Sequence, residues 1–85
     1  MKDIIDKAIE KHGKIIVSKY TNQDTKIEHE RNITKTEGGM YILEDLTRDK
    51  NEMVYTEEHI NTWDFDEVKK WCFETIITQN MSRND

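Results

Sequence analysis

Between residues 25 and 35 the sequence TKIEHERNITK alternates. Ile27, His29, Arg31 and Ile33 fall on one side of an extended chain, and Lys26, Glu28, Glu30, Asn32 and Thr34 on the other. Successive side chains of a strand point to opposite faces, so one face of this segment is wholly polar. Such a strand suits an antiparallel sheet with one face in water, whereas a parallel sheet buries both. Neighbouring segments extend the sheet. Residues 14–20 (KIIVSKY) are β-branched and close on the turn-forming Thr21-Asn22-Gln23-Asp24. Gly38-Gly39 marks the next hairpin, residues 40–47 (MYILEDLT) a third strand, and 52–56 (EMVYT) a short fourth after the turn at 48–51. Residues 57–63 are expected to be irregular or a single helical turn.

At either end the period changes from two to that of a helix. In DIIDKAIEKH (3–12), Ile4, Ile5, Ala8 and Ile9 share a face, Asp3 can cap the start, and Gly13 supplies the stop. A second helix is expected over 65–79, opened by Asp64-x-x-Glu67 as a capping box with Asp in the place of Ser or Thr. The polar residues 80–85 are expected to fray. The reading is one α+β domain over 1–79, an antiparallel meander of three to four strands flanked by a helix at each end, α-β-β-β-β-α. The last helix is unusually apolar: Phe65, Val68, Trp71, Cys72, Phe73, Ile76 and Ile77 cover an arc of roughly 240°, where packing on one side of a sheet needs roughly 100°. Either it lies in a groove between the sheet and the first helix, or Trp71, Phe73 and Ile77 meet another chain.

Several classes are excluded by composition. The single cysteine, Cys72, cannot close an intramolecular disulfide, and no apolar run approaches membrane-spanning length. Met1-Lys2-Asp3 leads directly into an amphipathic segment, so no signal peptide is expected and the cytoplasm is the expected compartment. A net charge of −5 argues against direct binding of nucleic acid. His12, His29, His59 and Cys72 fall in no catalytic or metal-ligand spacing, and Asp45-x-x-x-Asp49-x-x-Glu52 lacks that of a calcium loop. No catalytic residue, cofactor or metal is assigned, and an enzyme is not expected.

What remains is the distribution of charge. Residues 44–67 hold nine acids against Arg48 and Lys50, a net −7, while the segments on either side are slightly basic. Aromatics are interleaved with those acids, most densely in Trp63-Asp64-Phe65-Asp66. Buried aromatics supply binding energy, and carboxylates steer and select a basic partner. A surface with carboxylates spaced like phosphates can also occupy a nucleic-acid cleft and compete for its Lys and Arg. The expected partner-binding set is Glu52, Glu57, Glu58, Asp64, Asp66 and Glu67 as phosphate surrogates, with Tyr55 and Trp63 as anchors. The alternative is a small regulatory or structural homodimer pairing through Trp71, Phe73 and Ile77, its acids merely solubilising.

The element order is similar to that of double-stranded-RNA-binding domains, but those begin their last helix with a basic cluster where this chain has Asp64-Phe65-Asp66-Glu67. In MKDIIDKAIEKH, the meander through MYILEDLTRDKNEMVYT and the acidic EEHINTWDFDE, the chain resembles small acidic phage proteins that act against bacterial defence, in particular anti-CRISPR proteins that inhibit Cas9. The resemblance covers architecture and charge along the whole chain and no residue motif. It implies a non-enzymatic, DNA-mimicking inhibitor whose partner is a basic host protein, a Cas nuclease or another DNA-handling enzyme. The excess of Ile over Leu (11 to 2) and of Lys over Arg (10 to 3) fits a low-GC bacterium or its phage as source.

Overall fold

Helix α1 spans Lys2–His12, followed by strands β1 (Ile15–Thr21), β2 (Ile27–Lys35), β3 (Tyr41–Asp49) and β4 (Val54–Thr62), and then helix α2 (Phe65–Arg83). The computed structural model describes residues 2–83, and side chains for residues 2–77. The four strands form one antiparallel sheet in sequence order, so the chain is the expected α-β-β-β-β-α arrangement. Each hairpin is closed by local polar chemistry. Asn22 Oδ1 accepts the amides of Asp24 and Thr25 at 2.9 and 3.1 Å, and Asp49 Oδ1 those of Asn51 and Glu52 at 3.0 and 3.3 Å. Gly39, at φ 95°, makes the middle turn, and Gly13, at φ 86°, ends α1 by donating to Ile9 O at 2.7 Å.

Residues paired across antiparallel strands share a face, so the register assigns every side chain. Ile15, Ile33, Tyr41 and Leu43 lie on one face. Both helices pack there: Ile9 of α1 and Val68 and Trp71 of α2 complete the buried core, with Ile5, Ile15, Val17, Phe65 and Cys72 around it. Asp6 fastens α1 to the sheet, receiving the Tyr41 hydroxyl at 2.6 Å and lying 2.8 Å from Lys35 Nζ. Among the described residues no element covers the other face.

Four local expectations are corrected. Residues 57–62 are strand, not loop, because β3 offers them partners from Leu46 back to Tyr41: Leu46 opposite Glu57, Asp45 opposite Glu58 and Glu44 opposite His59. The weak β preference of Glu-Glu-His yields to an available ladder. Ile4 is 73% exposed, since α1 turns Ile5, Ala8 and Ile9 inward instead. The polar face of β2 is not open to water at its centre: Asn32 is 1% exposed and donates to Glu30 Oε2 at 2.8 Å. Helix α2 extends to Arg83, four residues past its expected end, and residues 84–85 of the expected tail lie outside the described residues. Among the described residues no helix is long and apolar enough to cross a membrane.

Candidate functional site: the acidic edge

The sheet gives its nine-acid segment three different uses. Asp45 is turned beneath α2 and held by Arg31, with Nε and a terminal nitrogen at 3.1 and 3.0 Å from Asp45 Oδ2. Arg31 also donates to Thr75 Oγ1 at 2.7 Å and stacks over Trp71 at 5.3 Å, so this pair is packing between sheet and helix. Asp49 closes a turn. Asp64 caps α2: its Oδ1 accepts the Asp66 amide at 2.9 Å. The reciprocal half of the expected capping box is absent, because the Asp64 amide donates to Thr62 Oγ1 at 3.0 Å and not to Glu67. Of the remaining six, Glu44 is half-buried and accepts the Thr34 hydroxyl at 3.3 Å. Glu52, Glu58 and Glu67 make no ion pair among the described residues, while Glu57 lies 2.7 Å from His59 Nε2 and Asp66 3.9 Å from Lys69 Nζ.

These residues do not share one face. They follow one edge. Glu52 stands in the turn before β4, Asp64, Asp66 and Glu67 at its far end, and the nine residues between span roughly 30 Å at the rise of a strand. Along β4, Tyr55 and Glu57 point to the helix-free side and Glu58 to the helix side. Every residue from 51 to 61 is exposed. The two expected anchors are also out in solvent, Trp63 at 69% and Tyr55 at 50%. Tyr55 is braced by Arg48, whose guanidinium lies 5.5 Å from the ring. Of the expected dimer residues, Trp71 is withdrawn into the core at 8% exposure, because α2 turns Val68, Trp71 and Thr75 inward. Phe73 and Ile77 stay on the surface, at 67% and 53%.

On the helix-free face two of the four carboxylates are neutralised by Lys and Arg. Glu30 lies between Lys14 and Lys19 at 3.5 and 3.9 Å, and Glu28 between Arg48 and Lys50 at 3.7 and 3.4 Å. Burial raises the Glu30 pKa, but its hydrogen bond from Asn32 and the nearby Lys14 outweigh this and leave it below the usual carboxylate value. Glu44, Glu57 and His59 bring two carboxylates and an imidazole within 4.8 Å, a donor set able to ligate a divalent cation. Linear spacing could not reveal this group, because Glu44 and His59 meet only through the β3–β4 register. The concavity beneath α2, lined by Ser18, Tyr20, His29, Arg31, Asp45 and Thr75, encloses about 100 Å³, well below the volume of an ordinary small-molecule site. Burial pushes the Cys72 thiol up, away from a reactive thiolate.

The fold and this edge define a two-layer α+β protein with one exposed acidic border. Comparisons with protein families, curated proteins and solved structures find no significant match.

Proposed function

We propose that this chain is a non-enzymatic inhibitor, of phage or mobile-element origin, that binds a basic nucleic-acid-handling protein of its host. It engages that protein through the acidic border that runs from Glu52 along β4 to Glu67. The observation that carries the reading is the combination on one border of an entirely exposed segment, 51–61, with three carboxylates, Glu52, Glu58 and Glu67, that make no ion pair among the described residues. Carboxylates left free in this way stand in for backbone phosphates before the Lys and Arg of a nucleic-acid site. The acids set association rate and salt dependence, and Tyr55 and Trp63 set residence time. The test is affinity capture from a lysate of a low-GC Gram-positive host, comparing wild type with the Glu52→Lys/Glu58→Lys/Glu67→Lys variant. Asp64 is left in place because its replacement would also uncap α2. Retention of a nucleic-acid enzyme by wild type alone supports the reading, and identical retention by both proteins refutes it.

A second reading rests on the exposed Phe73, Ile76 and Ile77 of α2, which would pair two copies in a regulatory or structural homodimer. Sedimentation distinguishes it. A dimer mass that Phe73→Glu/Ile77→Glu halves supports pairing through α2, and a monomer across the micromolar range excludes it.

A further inference from the structure

The two borders of the sheet are built differently. On β1 the register slips between Ile16 and Ser18, leaving Val17 as an extra residue, and a bulge of this kind spoils an edge for pairing. Lys19 on the same strand, exposed and 3.9 Å from Glu30, adds the charge that is a second common protection of an edge. β4 has neither device. Its nine residues pair with β3 in unbroken register from Val54 to Thr62, with no proline and no Lys or Arg. Among the described residues no strand lies beside its outer main-chain amides and carbonyls. A long, regular, exposed edge is a template for another strand.

The charges on β4 select what can pair with it. The one antiparallel register that would join all nine residues to those of a second copy centres on Glu58, and sets two Glu58 carboxylates directly opposite each other. Like charges in that position oppose pairing. A basic strand meets the reverse situation. Because Glu57 and Glu58 are consecutive, they project to opposite sides of the sheet, so a facing strand satisfies both with two consecutive basic residues. On the helix side its flanking positions meet Thr56 and Ile60, and on the open side Tyr55 and His59.

We infer that β4 accepts an extended segment of a partner protein as a fifth strand, and that the segment it selects carries a Lys/Arg pair flanked by β-branched or aromatic residues. Main-chain hydrogen bonds supply affinity, and the Glu57–Glu58 pair supplies selection against acidic strands and against the chain's own edge. The inference rests on the proposal that this border is a binding surface, and names how that surface binds.

The test uses the full chain and a nine-residue amidated peptide of alternating Thr and Val with a central Lys-Lys, beside the same peptide with Glu-Glu. Amide hydrogen exchange is followed by NMR. On adding the Lys-Lys peptide, every second amide of β4 becomes slow to exchange, because in an antiparallel pair alternate residues face outward. The Glu-Glu peptide produces no protection, and Glu57→Lys/Glu58→Lys weakens the Lys-Lys peptide by about tenfold or more. Absence of binding overturns the inference. So does binding without alternate protection along β4, or equal protection by both peptides. Concentration-dependent protection without peptide, accompanied by a dimer mass, would mean that a second copy occupies the edge and would likewise overturn it. None of these outcomes decides the inhibitor reading, which stands or falls on capture of a nucleic-acid enzyme and its sensitivity to reversal at Glu52, Glu58 and Glu67.

Discussion

Asp45→Asn tests most sharply the claim that the acidic segment divides into structural and presented carboxylates. In the native chain Asp45 Oδ2 receives two Arg31 nitrogens at 3.0 and 3.1 Å, and the same guanidinium reaches Thr75 and Trp71. The substitution keeps the volume but removes the charge and leaves Arg31 beneath α2 without its counter-ion. A hydrogen bond to a charged group contributes about 1.5–3 kcal/mol. Both side chains are about a third exposed, at 31% and 33%, so solvent screening lowers the expected cost to about 1–2 kcal/mol. For a domain of this size each kcal/mol moves the melting temperature by about 4–8 °C, giving a drop of roughly 4–16 °C. Glu58→Gln, one strand away and without an ion partner, should change the melting temperature by no more than about 0.5 kcal/mol would. Calorimetry and urea titration of the two variants, with partner capture on the same preparations, give the comparison. The expected pattern is crossed: Asp45→Asn loses stability and keeps binding, and Glu58→Gln does the opposite. Equal stability in both variants would refute the assignment of Asp45 to the packing layer.

Two further outcomes follow from the anchoring of the helices. Lys35, with help from Tyr41 and Lys2, holds the Asp6 pKa down to about 2 from 3.8, so the contact contributes fully above pH 3.8 and is lost as pH falls towards 2; Asp6→Asn should cost about 1 kcal/mol at pH 7 and flatten the loss of stability between pH 4 and 2, read by urea titration at each pH. Asp64→Ala should remove about 1 kcal/mol by uncapping α2, whereas Glu67→Gln should leave thermal stability unchanged because Glu67 does not close a capping box.

Much of this architecture is legible in the sequence because it is local. The alternation through Ile27, His29, Arg31 and Ile33 fixes both the strand and its faces, and Asn22, Asp49 and Gly39 mark turns by chemistry within a few residues. What escapes a linear reading depends on partners distant in sequence. Glu57, Glu58 and His59 are poor strand formers, and only β3 beside them makes them a strand. Asp45 reads as one more surface acid until the fold brings Arg31 and Thr75 to it. Trp71 and Phe73 are equally apolar, but the crossing of α2 over Ile33 and Leu43 buries the first and exposes the second. For the candidate site, sequence identifies the acids and the aromatics. It does not show that they follow an edge, nor that Asp64 is occupied as a cap.

The central claim is that the border from Glu52 to Glu67 occupies the phosphate-reading surface of its partner. The most direct measurement is competition by fluorescence anisotropy, in which the captured partner, loaded with labelled duplex DNA or RNA, is titrated with this chain. The account predicts stoichiometric displacement of the nucleic acid by wild type, weakening as salt rises, and no displacement by the Glu52→Lys/Glu58→Lys/Glu67→Lys variant. A ternary complex in which nucleic acid and wild-type chain remain bound together would contradict it.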